Sequence, residues 1–336
     1  MITDGRVLED NFVPREIEHR NDQMNALADA LHPITEGRSA LPTFLLGPSG
    51  SRKTCLVRIG LDRLREECPS IAYQFVSCWE DYSRFRVLYQ IVRTIDPGTV
   101  DRRTATTGTL LDRLKEFDGQ VIVTLGEVDQ LHDAKVLYDL YTTHGVSVVL
   151  IVNDVEDLFS RLDDRIVSRL RGTKRIRLDR YTVDELVSIL GERACLGLRP
   201  VVVDRDRLAH IADAAAGDAR VAINILRCAA EEAERDNADE ISSAMIADAV
   251  DAARDDVQRK QVDEFSPHQR TVYEIVRERG SVSGGDLQEA YRDRVDVYVF
   301  SPSRSATSSI SFLDRQTWHP FGFERPTRTH VILTPY

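Results

Sequence analysis

The sequence predicts an α/β protein: a parallel five-stranded sheet with helices on both faces, then an all-helical domain and a small C-terminal helix–helix–strand module. Three observations carry this. Five short apolar runs alternate with helical patterns between Thr43 and Leu178, as a parallel sheet with right-handed crossovers requires. After Asp179 come four helical patterns with no strand between them. The first apolar run, Phe44 to Leu46, breaks into the Gly/Ser turn of TFLLGPSGSRKTCL (43–56) before a helix resumes.

Taken in order, Met24, Leu27, Ala28 and Leu31 recur at helical spacing, with Pro33 beyond their end. Strand 43–46 and its turn lead into Cys55 to Glu67, apolar at Leu56, Ile59, Leu61 and Leu64. A strand is predicted over Ile71 to Val76, a helix over Arg84 to Ile95 closed by Asp96-Pro97-Gly98, and another over Thr109 to Phe117. Val121 to Leu125 is a continuous apolar run, the mark of a strand buried on both faces. A helix over 134–143, a strand over 147–152, a helix over 161–170 and a strand over 175–178 complete the layer. The four later helices span 183–196, 205–216, 219–235 and 241–257, with Gly217 closing one and Asp218 capping the next. The charged stretch 253–264 reads as a linker. Ser266-Pro267 opens a helix to about Arg279, a second covers 286–292, and the alternating end TRTHVILTPY reads as a strand. The domains are thus 1–179, 180–258 and 262–336.

Composition is that of a globular chain of 336 residues, 42% hydrophobic and 29% charged. Five cysteines form no C-x-x-C pair, and the eight histidines show no metal spacing. No apolar run approaches a membrane span. A cytoplasmic protein without membrane contact is expected. The net charge of −11 is uneven: the stretch from Phe265 onward carries nine Arg against eight Asp/Glu, leaving −12 for the rest. An acidic body with a neutral-to-basic tail would repel nucleic acid over most of its surface and tolerate it at one end.

The turn of 43–56 is built as a phosphate loop. In G-x-x-x-x-G-K-[ST], loop and helix N–H groups face phosphates, the Lys reaches their oxygens and the hydroxyl meets Mg²⁺. Here Gly47, Pro48, Ser49, Gly50, Ser51, Lys53, Thr54 and Cys55 are in place, but Arg52 stands where the pattern has its second Gly.

Beyond this motif, five segments occur in order: PREIEHRNDQM, GPSGSRKT, LGEVDQL, IVNDVEDLFSRLDDRIVSRL and GDARVAINILRCAAE. On these, the chain resembles the archaeal origin-recognition-type (cell-division-control-like) DNA replication initiators of the AAA+ superfamily, as a divergent member, over about residues 7–280. The resemblance implies a AAA+ body, an all-α lid and a C-terminal winged helix. It implies ATP/ADP with Mg²⁺ as cofactor and duplex origin DNA as partner, with other initiator subunits or the replicative helicase as further partners. It also implies roles. Pro14 to Arg20 would lie against adenine and ribose, Thr54 would meet Mg²⁺ through its hydroxyl, and Glu127, behind the metal, would orient water. Asn153 and Arg220 would sense the γ-phosphate, Arg165 and Arg169 would serve a neighbouring subunit's nucleotide, and Tyr181 and Arg193 would line the nucleotide from the lid. Read by themselves, these four arginines are solvated or ion-paired side chains, Asn153 a turn residue and Tyr181 a half-buried anchor.

Three departures bear on mechanism. Arg52 costs on the order of 1–3 kcal/mol if it must adopt a glycine conformation. Gly126 replaces the Asp that holds the metal's hydration shell, so hydrolysis is expected to be weak or absent. The recognition segment, Pro302 to Phe312, is Ser-rich and a poor helix former, leaving Arg304, Arg315, Arg325 and Arg328 for phosphate contacts. Two readings stand: an initiator switched by nucleotide, or a nucleotide-independent, catalytically inactive paralogue regulating intact initiators. A signal-transduction NTPase switch is a third, opposed by PREIEHR and the GDAR segment.

Overall fold

The computed structural model describes residues 1–98, 100–263, 267–279, 281–297 and 330–332. The elements run α1 (Asn21–Leu31), β1 (Thr43–Leu46), α2 (Lys53–Glu67), β2 (Ala72–Ser77), α3 (Arg84–Ile95), α4 (Thr107–Glu116), β3 (Val121–Gly126), α5 (Lys135–Thr142), β4 (Val146–Val152), α6 (Val155–Arg161), α7 (Asp164–Leu170) and β5 (Lys174–Arg177). Then follow α8 (Val183–Gly197), α9 (Arg205–Ala214), α10 (Ala219–Arg235), α11 (Ser243–Asp263), α12 (Pro267–Arg279), β6 (Ser281–Ser283), α13 (Gly284–Val297) and β7 (His330–Ile332).

The five strands β1–β5 form one parallel sheet in the order β2-β3-β4-β1-β5. Both β3 and β4 are buried at every residue, which explains their unbroken apolar runs. Successive residues alternate between two cores. Val121, Val123 and Leu125 join α3–α7 on one face, whereas Ile122, Val149 and Ile151 join α1 and α2 on the other. Strand β1, between β4 and β5, therefore delivers its carboxyl-end turn between two packed layers, where such sheets bind ligands.

The all-α part is stopped and started by its caps. Thr182 and Glu185 form a reciprocal capping box at the start of α8, and the Asp218 carboxylate accepts from the backbone N–H of Arg220 (2.8 Å) and Val221 (3.1 Å) at the start of α10. Met1–Ala249 forms one compact unit that contains both the sheet and these helices; Val250–Tyr336 forms a second. In the second unit, Ile275, Ala290 and Tyr291 make a small core, and β6 pairs antiparallel with β7.

The structure departs from the sequence expectations at three places. The helix expected over 161–170 starts only at Asp164, as α7, because Asp163 caps it by accepting from the Arg165 N–H, and a separate helix, α6, occupies 155–161 where none is expected. The stretch expected as a linker at 253–264 continues α11 to Asp263. A short strand, β6, precedes α13, which begins at Gly284 rather than Asp286 and runs to Val297. The recognition segment Pro302–Phe312, with Arg304, Arg315, Arg325 and Arg328, lies outside the described residues. No disulfide joins the five cysteines. No helix among the described residues is long and apolar enough to cross a membrane.

Candidate functional site at the carboxyl end of the sheet

The turn after β1 has no room for side chains at two positions. A Cβ on Gly47 (φ 152°) would stand 2.1 Å from the Leu178 carbonyl oxygen, and one on Gly50 (φ 73°) would stand 2.0 Å from Asp218 Oδ1. The second contact is made by the N-terminus of α10, whose Ala219 N–H also donates to the Gly50 carbonyl (3.3 Å). The helical domain is thereby seated directly on the loop. Ser51 folds inward, its hydroxyl donating to the Pro48 carbonyl at 2.8 Å, while Ser49 is exposed.

Lys53 is buried under this turn, and its ammonium uses all three protons. It donates to the carbonyls of Gly47 (2.7 Å) and Pro48 (2.8 Å) and to Asn153 Oδ1 (3.0 Å), which stands at the end of β4. Burial pushes its pKa down to about 8; nearby Arg220 adds to the fall, and Asp129, Glu127 and Asp218 oppose it. Arg52 adopts the left-handed conformation (φ 65°, ψ 32°) that its glycine equivalent would favour. Its guanidinium turns to Cys55 Sγ (3.6 Å), so the turn is not filled by it, and no side chain caps the N-terminus of α2. An uncapped helix start beside a buried ammonium is an anion site.

Beside the loop lies a cleft of about 570 Å³. Thr54, Cys55, Gly126, Glu127 and Arg220 line it, opposite Asp10 to Val13. Glu127 adopts a left-handed backbone (φ 54°) and accepts from the Ser77 hydroxyl at 3.5 Å. Arg220 is exposed in the first turn of α10, 3.8 Å from Asp10. At position 126 the Phe75 ring fills the space beside the glycine: a Cβ there would be 2.8 Å from its Cζ, so the ring would have to shift for any side chain. No group of three or more His, Cys, Asp or Glu suited to a metal ion occurs among the described residues. The residues thus offer a phosphate an ammonium and an uncapped helix start, and would offer a divalent metal only the Thr54 hydroxyl and the Glu127 carboxylate, with none at position 126.

Arg193 and Tyr181 lie near Arg52 and Cys55 of the loop without lining this cleft. Arg193 is 1% exposed and donates to the carbonyls of Val7 (2.5 Å) and Phe12 (3.4 Å), with the Phe12 ring 4.5 Å away. Burial lowers its pKa to about 10. Tyr181 is likewise buried, under the Arg20 guanidinium at 3.9 Å, and Arg20 also donates to the Asp179 carbonyl at 2.6 Å. Instead of lining the cleft, both residues fasten the N-terminal segment to the helical domain. The cleft wall is made by Asp10–Val13, immediately before the Pro14–Arg20 stretch expected there. Arg165 and Arg169 do not line the cleft: Arg165 is exposed on α7, and Arg169 lies over Tyr138 of α5 at 4.7 Å. Asp10–Val13 and Phe75 carry no sequence signal of their own.

Comparison with known proteins places the fold in a family. Residues 187–251 match the Cdc6 AAA+ ATPase-type lid domain family. The chain is 44% identical over 301 residues to ORC1-type DNA replication protein 9 of Halobacterium salinarum, covering 88% of this chain and 84% of that one. It is 42% identical over 301 residues to ORC1-type DNA replication protein 1 of the same organism, covering 88% and 97%. Among solved structures, the Aeropyrum pernix ORC1 protein in complex with DNA superposes with a TM-score of 0.78 at 26% identity, covering 99% of this chain and 93% of that one.

The strained residue of the loop gives a direct test. Replacing Arg52 by Gly removes a left-handed non-glycine conformation and raises stability to thermal or denaturant unfolding by about 1 kcal/mol. A lower stability for Arg52→Gly contradicts the strain.

Proposed function

Because the chain belongs to the family of ORC1-type DNA replication proteins, we propose that it is a replication initiator whose AAA+ unit holds ADP or ATP beside Lys53 and which also binds duplex DNA. The observation that carries the nucleotide half is the buried Lys53 ammonium, set below two side-chain-excluding glycines at an uncapped helix start. In this reading the domains are 1–179 for nucleotide, 180–258 for the lid and 262–336 for DNA. The loop N–H groups, Lys53 and Thr54 meet the phosphates, while Phe12 and Val13 cover the nucleoside. Asn153 and Arg220 reach the terminal phosphate from the sheet and from the lid, and a bound polyphosphate draws Lys53 away from one of its three acceptors. Arg165, exposed on α7, and Arg169 face a neighbouring subunit.

The metal is left out of this reading. Thr54 supplies a hydroxyl and Glu127 a carboxylate, but position 126 is a glycine beside the Phe75 ring and lacks the carboxylate that phosphoryl transfer needs around Mg²⁺. The cleft therefore binds nucleotide as a conformational clamp between sheet and lid, and turnover is trace or nil.

The charge on Lys53 sets a pH dependence. Below about pH 8 the ammonium is present and attracts phosphate; above it the amine is neutral. ADP affinity, measured by calorimetry from pH 7 to 9, falls as pH rises through about 8, and proton uptake accompanies binding near that pH. A flat profile is the contrary result.

The DNA half is tested by fluorescence anisotropy of labelled duplex across a salt series, with and without ADP. Affinity falls as salt rises, with a log–log slope set by the number of phosphates contacted. Absence of binding at low salt would rule out the DNA reading.

A further inference from the structure

Phe75 does more than fill the space beside Gly126. The Cζ edge of its ring points at Gly126, and the guanidinium of Arg58 lies over its face, 5.3 Å from the ring centroid. Arg58 follows Thr54 by four residues on α2, which places both on one face of the helix. Both line the same cleft, with Gly126 and Glu127. The aromatic face holds the guanidinium in place by a cation–π contact, and Arg58 makes no ion pair with a carboxylate among the described residues. Its charge is therefore not cancelled by a partner. The acidic residues of the cleft lie elsewhere: Asp10 faces Arg220, Glu80 and Asp81 lie beyond the end of β2, and Glu127 follows Gly126.

We propose that Arg58, held on Phe75, supplies beside Thr54 the fixed positive charge that a divalent metal would otherwise bring, so that this cleft takes nucleoside polyphosphates without a metal. The inference rests on the nucleotide reading above and makes a narrower claim about it. A guanidinium offers the phosphate oxygens two parallel donors and keeps its charge at any working pH. A hydrated magnesium ion offers water-mediated bonds that need a carboxylate behind them, and Gly126 supplies none. Gly126 and Phe75 are then a matched pair, small where the carboxylate would be and large where the arginine needs a platform.

The test is equilibrium binding of ADP and of ATP to the full chain, once in excess magnesium and once in EDTA. The two dissociation constants agree within about threefold for each nucleotide. Arg58→Gln weakens ADP in EDTA by about tenfold or more, and Arg58→Lys, a point charge without the fork, recovers part of the loss. Thermal unfolding of both variants separates charge from packing: a platform-only role moves the melting temperature and leaves ADP affinity alone. The paired change Phe75→Ala with Gly126→Asp makes binding magnesium-dependent. Loss of wild-type binding in EDTA, or wild-type affinity in Arg58→Gln, overturns the inference while leaving the nucleotide reading intact. No binding in either buffer overturns both.

Discussion

The structure depends on one buried charge. The ammonium of Lys53 ties the Gly47 and Pro48 carbonyls to Asn153 and so joins the turn after β1 to the end of β4. A buried ammonium is tolerated only with its donors satisfied, and here each of the three has an acceptor. That requirement fixes the turn's shape. Gly47 must lie against Leu178, and Gly50 must leave space for Asp218. The same Asp218 caps α10, so the helical domain is positioned by the loop it covers. A change in what Lys53 contacts has a short route to the lid, through the turn and its contact with Asp218 and Ala219.

The N-terminal segment is fastened by two more buried cations. Arg193 reaches the carbonyls of Val7 and Phe12, and Arg20 lies over Tyr181 while donating to Asp179. Both guanidiniums are bonded to backbone oxygen, which leaves few alternative arrangements, since a shifted segment would strand a charge in the interior. The strap so formed presents Asp10–Val13 as one wall of the cleft. It links sheet, lid and cleft, and Ile17 and Val13 anchor it to the core on the α1 and α2 face of the sheet.

Much of this was legible in the sequence because periodicity reports burial. The two-faced strands β3 and β4, the amphipathic α3 and α10, and the Asp218 cap all follow from apolar spacing and short-range chemistry. What was not legible concerns partners distant in the chain. Arg193 and Tyr181 are individually suited to meet a ligand, and only the fold shows them meeting Phe12 and Arg20. Gly126 reads as a lost carboxylate, whereas the structure adds that Phe75, on the neighbouring strand, occupies the space. The break between α6 and α7 turns on a single cap at Asp163, and helical spacing on either side conceals it. The extension of α11 through a charged stretch belongs with these: a solvated helix and a polar linker have the same composition.

Two departures from the phosphate-loop pattern thus have different consequences. Arg52 accepts a glycine's conformation and turns its side chain to Cys55, leaving the turn open. Gly126, beside the Phe75 ring, carries no carboxylate. In the proposed function, a loop kept intact beside this position would hold a nucleotide rather than consume one. The most direct measurement is ADP binding by the full chain and by Lys53→Ala at equal folded fraction. The account predicts saturable binding by the wild type that weakens by about a hundredfold or more when the ammonium is removed; equal affinity in the two proteins would contradict it.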